Sequence, residues 1–142
     1  MKRSTLLLAC TLAASLPLGA RAAAPSGIQV SAAWSRPALV TGVVYLTITN
    51  HGPGPDRLVE ARSDVARTTQ IHESTFENGM MMMHPVAAVL IPAGGAVTFQ
   101  PGGYHIMLMG LDHELKAGQT FRCRLRFEHA GWITVESHVR QM

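Results

Sequence analysis

Cysteine is scarce in this chain of 142 residues, which contains only Cys10 and Cys123. Cys10 lies in a predicted leader that would be removed, so we expect no intrachain disulfide. Arg122, Arg124 and Arg126 alternate with Cys123 and its apolar neighbours, which predicts a strand with the thiol on the apolar face. We therefore expect Cys123 to be buried and inert. The alternative for an unpaired cysteine in an exported protein is a reactive thiol or a pair between chains.

Charged residues are also few, at 15% of the chain, and the basic excess is confined to its start. Residues 1–22 contain three basic residues and no acidic one, so residues 23–142 carry nine basic and nine acidic residues. A nucleic-acid-binding domain needs a basic patch or stripe. The charge pattern therefore argues against a nucleic-acid partner.

Sequence signatures of catalysis are missing as well. The chain contains no nucleophile elbow, no phosphate-binding loop and no closely spaced pair of carboxylates. Neither is a Cys–His pair evident, since the only cysteine outside the leader lies among arginines. We therefore do not expect an enzyme.

No apolar run is long enough to span a membrane stably, which takes about 20 residues. The longest, Leu6–Leu18, follows the basic pair Lys2–Arg3 and precedes Ala20–Ala22, a small-x-small cleavage pattern. These features predict a secretory leader and export. Leu7–Cys10 faintly resembles a lipoprotein processing site, which is the alternative interpretation. The predicted division is a leader at residues 1–22 and one domain at residues 23–142.

Helical periodicity is absent, and the chain instead alternates apolar and polar residues. Val44, Leu46 and Ile48, for example, share one face of a strand. The predicted strands are Ile28–Ala33, Val43–Asn50, Arg57–Ser63, Thr68–Glu73, Met80–Pro85, Ala96–Gln100, Tyr104–Met109, Thr120–Glu128 and Trp132–Arg140. Short strands separated by Pro/Gly-rich turns indicate an all-β sandwich or barrel.

Methionine and histidine are the chemically informative residues that remain. Six of the eight methionines lie between residues 80 and 109, and His72, His84 and His105 lie in or near the same stretch. Thioether sulfur prefers soft ions, and imidazole accepts copper, zinc, iron and nickel. Zinc sites usually include Cys, Asp or Glu. A His/Met set without these ligands favours Cu(I).

Strand geometry allows such donors to converge. Alternate residues of a strand share a face and lie about 6–7 Å apart. His105 and Met107 form one such pair, Met81 and Met83 form another, and His72 lies on a third predicted strand. A folded scaffold is therefore needed to bring the donors together.

Other interpretations of these residues stay open. Methionine also fills irregular cores, so Met80 and Met82, on the opposite face from Met83, are predicted to pack. Met109 could support the site or pack. His84 could be an additional ligand. The remaining histidines are expected to face solvent: His51, His113, His129 and His138.

The spacing of four donors resembles that of a known family. His72, Met83, His105 and Met107 follow the pattern His-x10-Met-x21-His-x-Met, which is similar to that of the periplasmic PCu(A)C copper chaperones. The flanking segments are similar too: Ala38–Asn50, Ile91–Gly95 and Pro101–Leu111. Position 84 is His where relatives often carry a basic residue. Some relatives carry a His/Met-rich C-terminal tail, but we do not predict a second, tail-borne site in this chain.

The resemblance implies a cupredoxin-like Greek-key β-sandwich that binds Cu(I) in the periplasm through His72, Met83, His105 and Met107. It implies delivery of copper to a cuproenzyme, typically to the dinuclear copper site of cytochrome c oxidase, through an oxidase subunit or its assembly factor. We expect a monomer. The alternatives are copper sequestration, which would use the same ligands, and a metal-free interaction module. A blue-copper electron carrier is disfavoured because Cys123 has no neighbouring His/Met ligands.

Overall fold

The computed structural model describes residues 27–142, so the predicted leader at residues 1–22 lies outside the described residues. This part of the chain contains strands and no helix, and it therefore has no helix that could cross a membrane. The strands are β1 (Ile28–Ser35), β2 (Thr41–Asn50), β3 (Asp56–Ser63), β4 (Ala66–Glu77), β5 (Met80–Pro85), β6 (Val89–Ile91), β7 (Ala96–Phe99), β8 (Tyr104–Leu111), β9 (Thr120–Phe127) and β10 (Gly131–Val139). The all-β prediction is confirmed.

Two elements differ from the sequence prediction by more than two residues. β6 was not predicted, because a strand of three residues is too short to show an alternating pattern. β4 runs to Glu77 rather than ending at Glu73. The extension exists because Asn78 and Gly79, both with positive φ, form a two-residue turn that pairs β4 with β5. Positive φ at both central residues is the requirement of a type I′ hairpin turn.

The strands form one continuous hydrogen-bonded sheet in the order β5-β4-β8-β2-β1-β10-β9-β3-β6, and β7 pairs separately with β2. All neighbours are antiparallel except β1 and β10. The alternation predicted for β2 is observed, since Val44, Leu46 and Ile48 are buried. They belong to the same apolar cluster as Leu125 and Phe127 of β9. Both halves of the sheet therefore cover one core, as in a sandwich.

The β4–β5 hairpin extends beyond this core. β8 pairs with β4 only as far as the Glu73–Tyr104 pair, beyond which Ser74 N–H still donates to the carbonyl of Gly103, so residues 75–77 pair with β5 alone. All six residues of β5 are exposed. Consequently, the two faces of the distal hairpin both reach solvent, although only one of them carries the predicted ligand Met83.

Cys123 is fully buried in the core, as predicted from its alternating strand. Burial raises the pKa of its thiol to about 12, despite an opposing hydrogen bond with Ser63. Because the thiolate is the nucleophile and the metal ligand, this cysteine is suited to neither role. The structure therefore agrees with the interpretation of Cys123 as an inert core residue.

We expect the Cys123 thiol of the folded protein to be unreactive toward a disulfide reagent such as Ellman's reagent at pH 7.5. At that pH a thiol with this pKa is ionised in fewer than about one molecule in a thousand. In denaturant, one thiol should react per chain that lacks residues 1–22. As a control, Thr134→Cys on the exposed face of β10 should react without denaturant. Rapid modification of the native wild type would contradict this account of the core.

Candidate metal centre

His72 and His105 lie directly opposite each other on β4 and β8. Their ring centroids are 5.7 Å apart. Both side chains project from the face of the sheet opposite the core, since their strand neighbours Ile71 and Ile106 point into the core. The structure thus brings together two predicted ligands that are far apart in the sequence.

His105 is only 3% exposed and presents an unused lone pair. Its Nδ1–H donates to the carbonyl oxygen of Gly103 at 3.1 Å. A carbonyl can only accept, so Nδ1 carries the proton and Nε2 of the neutral ring carries the lone pair. Nε2 is buried and has no hydrogen-bond partner. The ring is therefore held in the tautomer that a metal ion requires.

His72 has the opposite tautomer, and it too keeps a free lone pair on one ring nitrogen. Its Nε2–H donates to Oε1 of Gln70 at 3.0 Å, which leaves the lone pair on Nδ1. Nδ1 is also buried without a partner. Burial lowers the pKa of His72 below its ordinary value, and the neighbouring His105 lowers this pKa further. Both effects favour the neutral ring, which is the form that binds metals.

Unpartnered buried polar atoms are rare in folded proteins, and each needs an explanation. Within residues 27–142, three side-chain nitrogen or oxygen atoms are in this state, and two of them are Nδ1 of His72 and Nε2 of His105. The third is the hydroxyl of Ser137. A cation bound between the rings would give both nitrogens a partner. The residues present therefore fit a metal ion.

The predicted methionine ligands share the face of the histidine pair. Met107 lies opposite Gln70 on β8, and Met83 lies opposite Ser74 on β5. Each is therefore a diagonal cross-strand neighbour of His72. Diagonal neighbours lie about 7–8 Å apart, within reach of long side chains. His72 thus stands at the centre of the four predicted ligands.

Other donors do not surround the histidine pair. No three side chains of the His, Cys, Asp and Glu types gather as a metal site anywhere in residues 27–142. A cation at His72 and His105 would consequently need further ligands of another kind. The nearby thioethers of Met83 and Met107 are the soft donors that the strand pairing supplies.

The remaining candidate ligands on β5 project from one face or the other, because successive residues of a strand point to opposite faces. Met81 lies on the same face as Met83, but two residue pairs nearer the hairpin tip. His84, Met80 and Met82 project from the opposite face, so His84 does not join the histidine pair. The packing prediction for Met80 and Met82 is wrong: they are 64% and 39% exposed. An edge hairpin that projects beyond the core gives them nothing to pack against.

The histidines predicted to face solvent do so. His51, His113, His129 and His138 are all exposed. Met109 lies on the same face as Met107, two residues farther from His105, and is partly buried. It therefore lies outside the group of side chains that neighbour His72.

Sequence reasoning missed the two groups that set the tautomers. Gln70 precedes His72 by two residues on the same face, and Gly103 precedes His105 by two residues. The repeated two-residue offset is visible in the sequence. However, nothing in the sequence shows that the amide and the carbonyl turn toward the rings. Groups that orient a metal-binding histidine through its other nitrogen are a general feature of metal sites.

Comparison with known proteins supports the resemblance noted from the spacing. The family described as "Putative lipoprotein LpqE-like" matches residues 28–139. The protein Lxx21020 of Leifsonia xyli subsp. xyli is 37% identical over 143 residues, which cover 89% of this chain and 86% of that protein.

Two solved structures show the same fold. The copper-bound PCuAC domain from PmoF2 is 26% identical with a TM-score of 0.70, over 84% of this chain and 97% of that domain. The solution structure of CuI-DR1885 from Deinococcus radiodurans is 31% identical with a TM-score of 0.62, over 87% of this chain and 83% of that one. These likenesses confirm the expected cupredoxin-like β-sandwich.

Proposed function

Because this chain belongs to the LpqE-like family of PCu(A)C-type copper chaperone domains, we propose that it binds Cu(I) at His72, Met83, His105 and Met107 and passes it to another protein. The observation that carries the proposal is the pair of buried, unpartnered nitrogens on His72 and His105. One of the two solved relatives is a copper-bound domain and the other is a Cu(I) form, which supports the choice of metal.

The proposed donors are two imidazoles and two thioethers, none of which carries a charge in the metal-binding form. Such ligands suit Cu(I), whereas zinc sites usually include thiolate or carboxylate. The absence of thiolate also suits release, since a protein that offers cysteine thiolates provides softer, anionic ligands. The ion is the cargo of the protein rather than a resident cofactor, so the site must hold it and also give it up.

The position of Met83 favours exchange with a partner. Met83 lies on the edge strand β5 and is exposed, whereas His105 is buried on β8, two strands inward from that edge. An approaching acceptor would therefore meet the methionine side of the site first. We propose that the histidine pair retains the ion while the exposed thioether gives way to the acceptor's ligand.

The direct test is anaerobic Cu(I) titration of the protein without residues 1–22, against a competing chelator. We expect one tight equivalent, and we expect Met83→Leu and Met107→Leu to weaken it by at least about tenfold. Met109→Leu is the matched control, because it lies on the same strand and face as Met107 but outside the proposed ligand set. If both ligand variants bind Cu(I) like the wild type, the proposed site is wrong.

A second experiment separates delivery from sequestration. The Cu(I)-loaded protein is mixed with the apo form of the dinuclear copper domain of cytochrome c oxidase, and the metal in each protein is measured after separation. We propose that copper moves to the oxidase domain, or to an assembly factor used in its place. Retention of the metal against both acceptors would favour sequestration.

Gln70→Ala tests the tautomer argument at the same site. We expect it to weaken Cu(I) binding by about tenfold, because the loss of a group that orients a metal ligand costs about 10–100-fold and Gln70 is exposed. Gln70→Glu retains an oxygen acceptor for the His72 Nε2–H and should bind nearly as tightly as the wild type. Equal affinity for Gln70→Ala and wild type, measured by chelator competition, would show that Gln70 does not orient the ring.

We further propose that the protein is exported and acts in the periplasm. The predicted leader at residues 1–22 supports export, and the family description as a lipoprotein raises the alternative processing site at Leu7–Cys10. The mass of the mature N-terminus decides between the two: cleavage before Ala23 gives an unmodified amino terminus, whereas a lipoprotein would begin with acylated Cys10.

A further inference from the structure

The far side of the β4–β5 hairpin carries a second group of soft donors. Met80, Met82 and His84 alternate along β5 and project opposite Glu77, Thr75 and Glu73 respectively. We call this surface the reverse face of the hairpin. The hairpin backbone separates it from the face that bears Met83. None of these three donors is therefore part of the site at the histidine pair.

A contact on the reverse face shows that His84 and Glu77 converge. Glu77 pairs with Met80, and His84 lies four residues farther along β5, yet Nε2 of His84 and Oε1 of Glu77 are 3.4 Å apart. Thr75, which lies opposite Met82, donates its hydroxyl to the same Glu77 oxygen at 2.9 Å. The imidazole and the carboxylate therefore meet above the Thr75–Met82 pair. His84 consequently leans along the strand toward Met82.

The exposure of these methionines needs a physical reason. Edge strands usually carry charged residues or proline, which discourage pairing with another chain. β5 instead presents Met80 and Met82 to solvent, although neither contributes to the core. Exposed apolar side chains on a free edge favour aggregation. A ligand-binding role would compensate for this cost, whereas packing cannot.

We propose that Met80, Met82 and His84 form a second site for a soft monovalent cation, Cu(I) in the first instance. Two thioethers and one imidazole are the donor types that such an ion prefers. To bind the ion, the His84 imidazole would leave its contact with Glu77. The nearby Glu77 carboxylate would then balance the positive charge of the ion. The site is open and exposed, so it binds more weakly than the site proposed at His72 and His105. The proposal does not depend on that site.

The test is a titration of the protein labelled with carbon-13 at the methionine methyl groups, with Cu(I) under anaerobic, reducing conditions. Each methyl reports on its own sulfur, and native mass spectrometry counts the bound ions. We expect the second equivalent to shift the methyl signals of Met80 and Met82 and the ring signals of His84. The double variant Met82→Leu/His84→Gln should lose this equivalent. Met81→Leu, on the same strand but the other face, should keep it.

Three outcomes would overturn the proposal: reverse-face signals that do not shift in the wild type at excess Cu(I), an unchanged reverse-face equivalent in Met82→Leu/His84→Gln, or an equal loss in Met81→Leu. The substituted side chains are exposed, so a folding defect would not explain a loss of binding. Failure of the site proposed at His72 and His105 can be distinguished from failure of the reverse-face site. If the first equivalent shifts only the reverse-face signals, the site at His72 and His105 is wrong and the reverse-face site stands.

Discussion

His105→Ala is expected to lower the affinity for Cu(I) by at least about 100-fold. Loss of a group that only orients a metal ligand already costs about 10–100-fold, and His105 supplies one of the two buried lone pairs themselves. The change also removes the imidazole opposite His72, so His72 would bind the ion with only the two thioethers. Competition with a chromogenic Cu(I) chelator, under reducing conditions, measures the effect.

Two controls make this result interpretable. His113→Ala removes an exposed histidine in the loop after β8 and should leave the affinity unchanged. His105 is itself buried, so a thermal melt of His105→Ala must show a folded protein at the temperature of the titration. His72→Ala is the second variant, because its side chain is less buried, and it should lose affinity to a similar degree. Wild-type affinity in both histidine variants would exclude the proposed site.

Asp56→Ala is expected to lower the free energy of unfolding by about 3–5 kcal/mol. Oδ1 of Asp56 accepts the backbone N–H groups of Arg57 and His129, and Oδ2 accepts that of Ala130. Asp56 is buried, so its removal leaves donors at the β9–β10 turn without a partner, at about 1–3 kcal/mol for each buried donor. Urea unfolding followed by circular dichroism measures the loss.

Asp112→Ala is the matched control for Asp56→Ala. Asp112 is an exposed aspartate in the loop after β8, and surface substitutions of this kind usually change stability by less than about 0.5 kcal/mol. The slopes of the unfolding curves should agree among the three proteins if the folded states are equally compact. A loss below about 1 kcal/mol for Asp56→Ala would show that water satisfies these N–H groups.

Most strands were predictable because their signal is local. A strand with one buried face repeats every two residues, and Phe121–Phe127 or Val43–Asn50 show this period without reference to any partner. β6 shows how the signal fails: Val89 and Ile91 are buried on either side of exposed Leu90, but three residues do not define a period. The end of β4 was missed because it depends on the Asn78–Gly79 turn rather than on hydrophobic alternation.

Asp56 illustrates a role that local patterns could not reveal. It ends a Pro/Gly-rich segment, and that composition indicates a turn but gives no sign of a buried carboxylate. Two of its three donors, His129 and Ala130, come from a turn more than 70 residues later. The pairing of β3 with β9 brings the two segments together. The function of this carboxylate therefore arises only when non-adjacent strands associate.

The sequence by itself determined the class of fold and the chemical type of the candidate site. Alternation of apolar and polar residues determined the all-β architecture. The concentration of methionine and histidine in one stretch determined that the candidate ligands are soft donors. Parity along a single strand also followed from the sequence, because successive side chains must point to opposite faces.

Only the tertiary structure decided which donors meet. The β4–β8 register sets His72 opposite His105, and the contacts with Gln70 and Gly103 leave one lone pair free on each ring. The same structure places His84 on the reverse face of the hairpin. The physical reason is that the period of a strand is a property of its own residues, whereas the neighbour across a sheet depends on how distant segments align. A shift of one residue in that alignment would bring different side chains together.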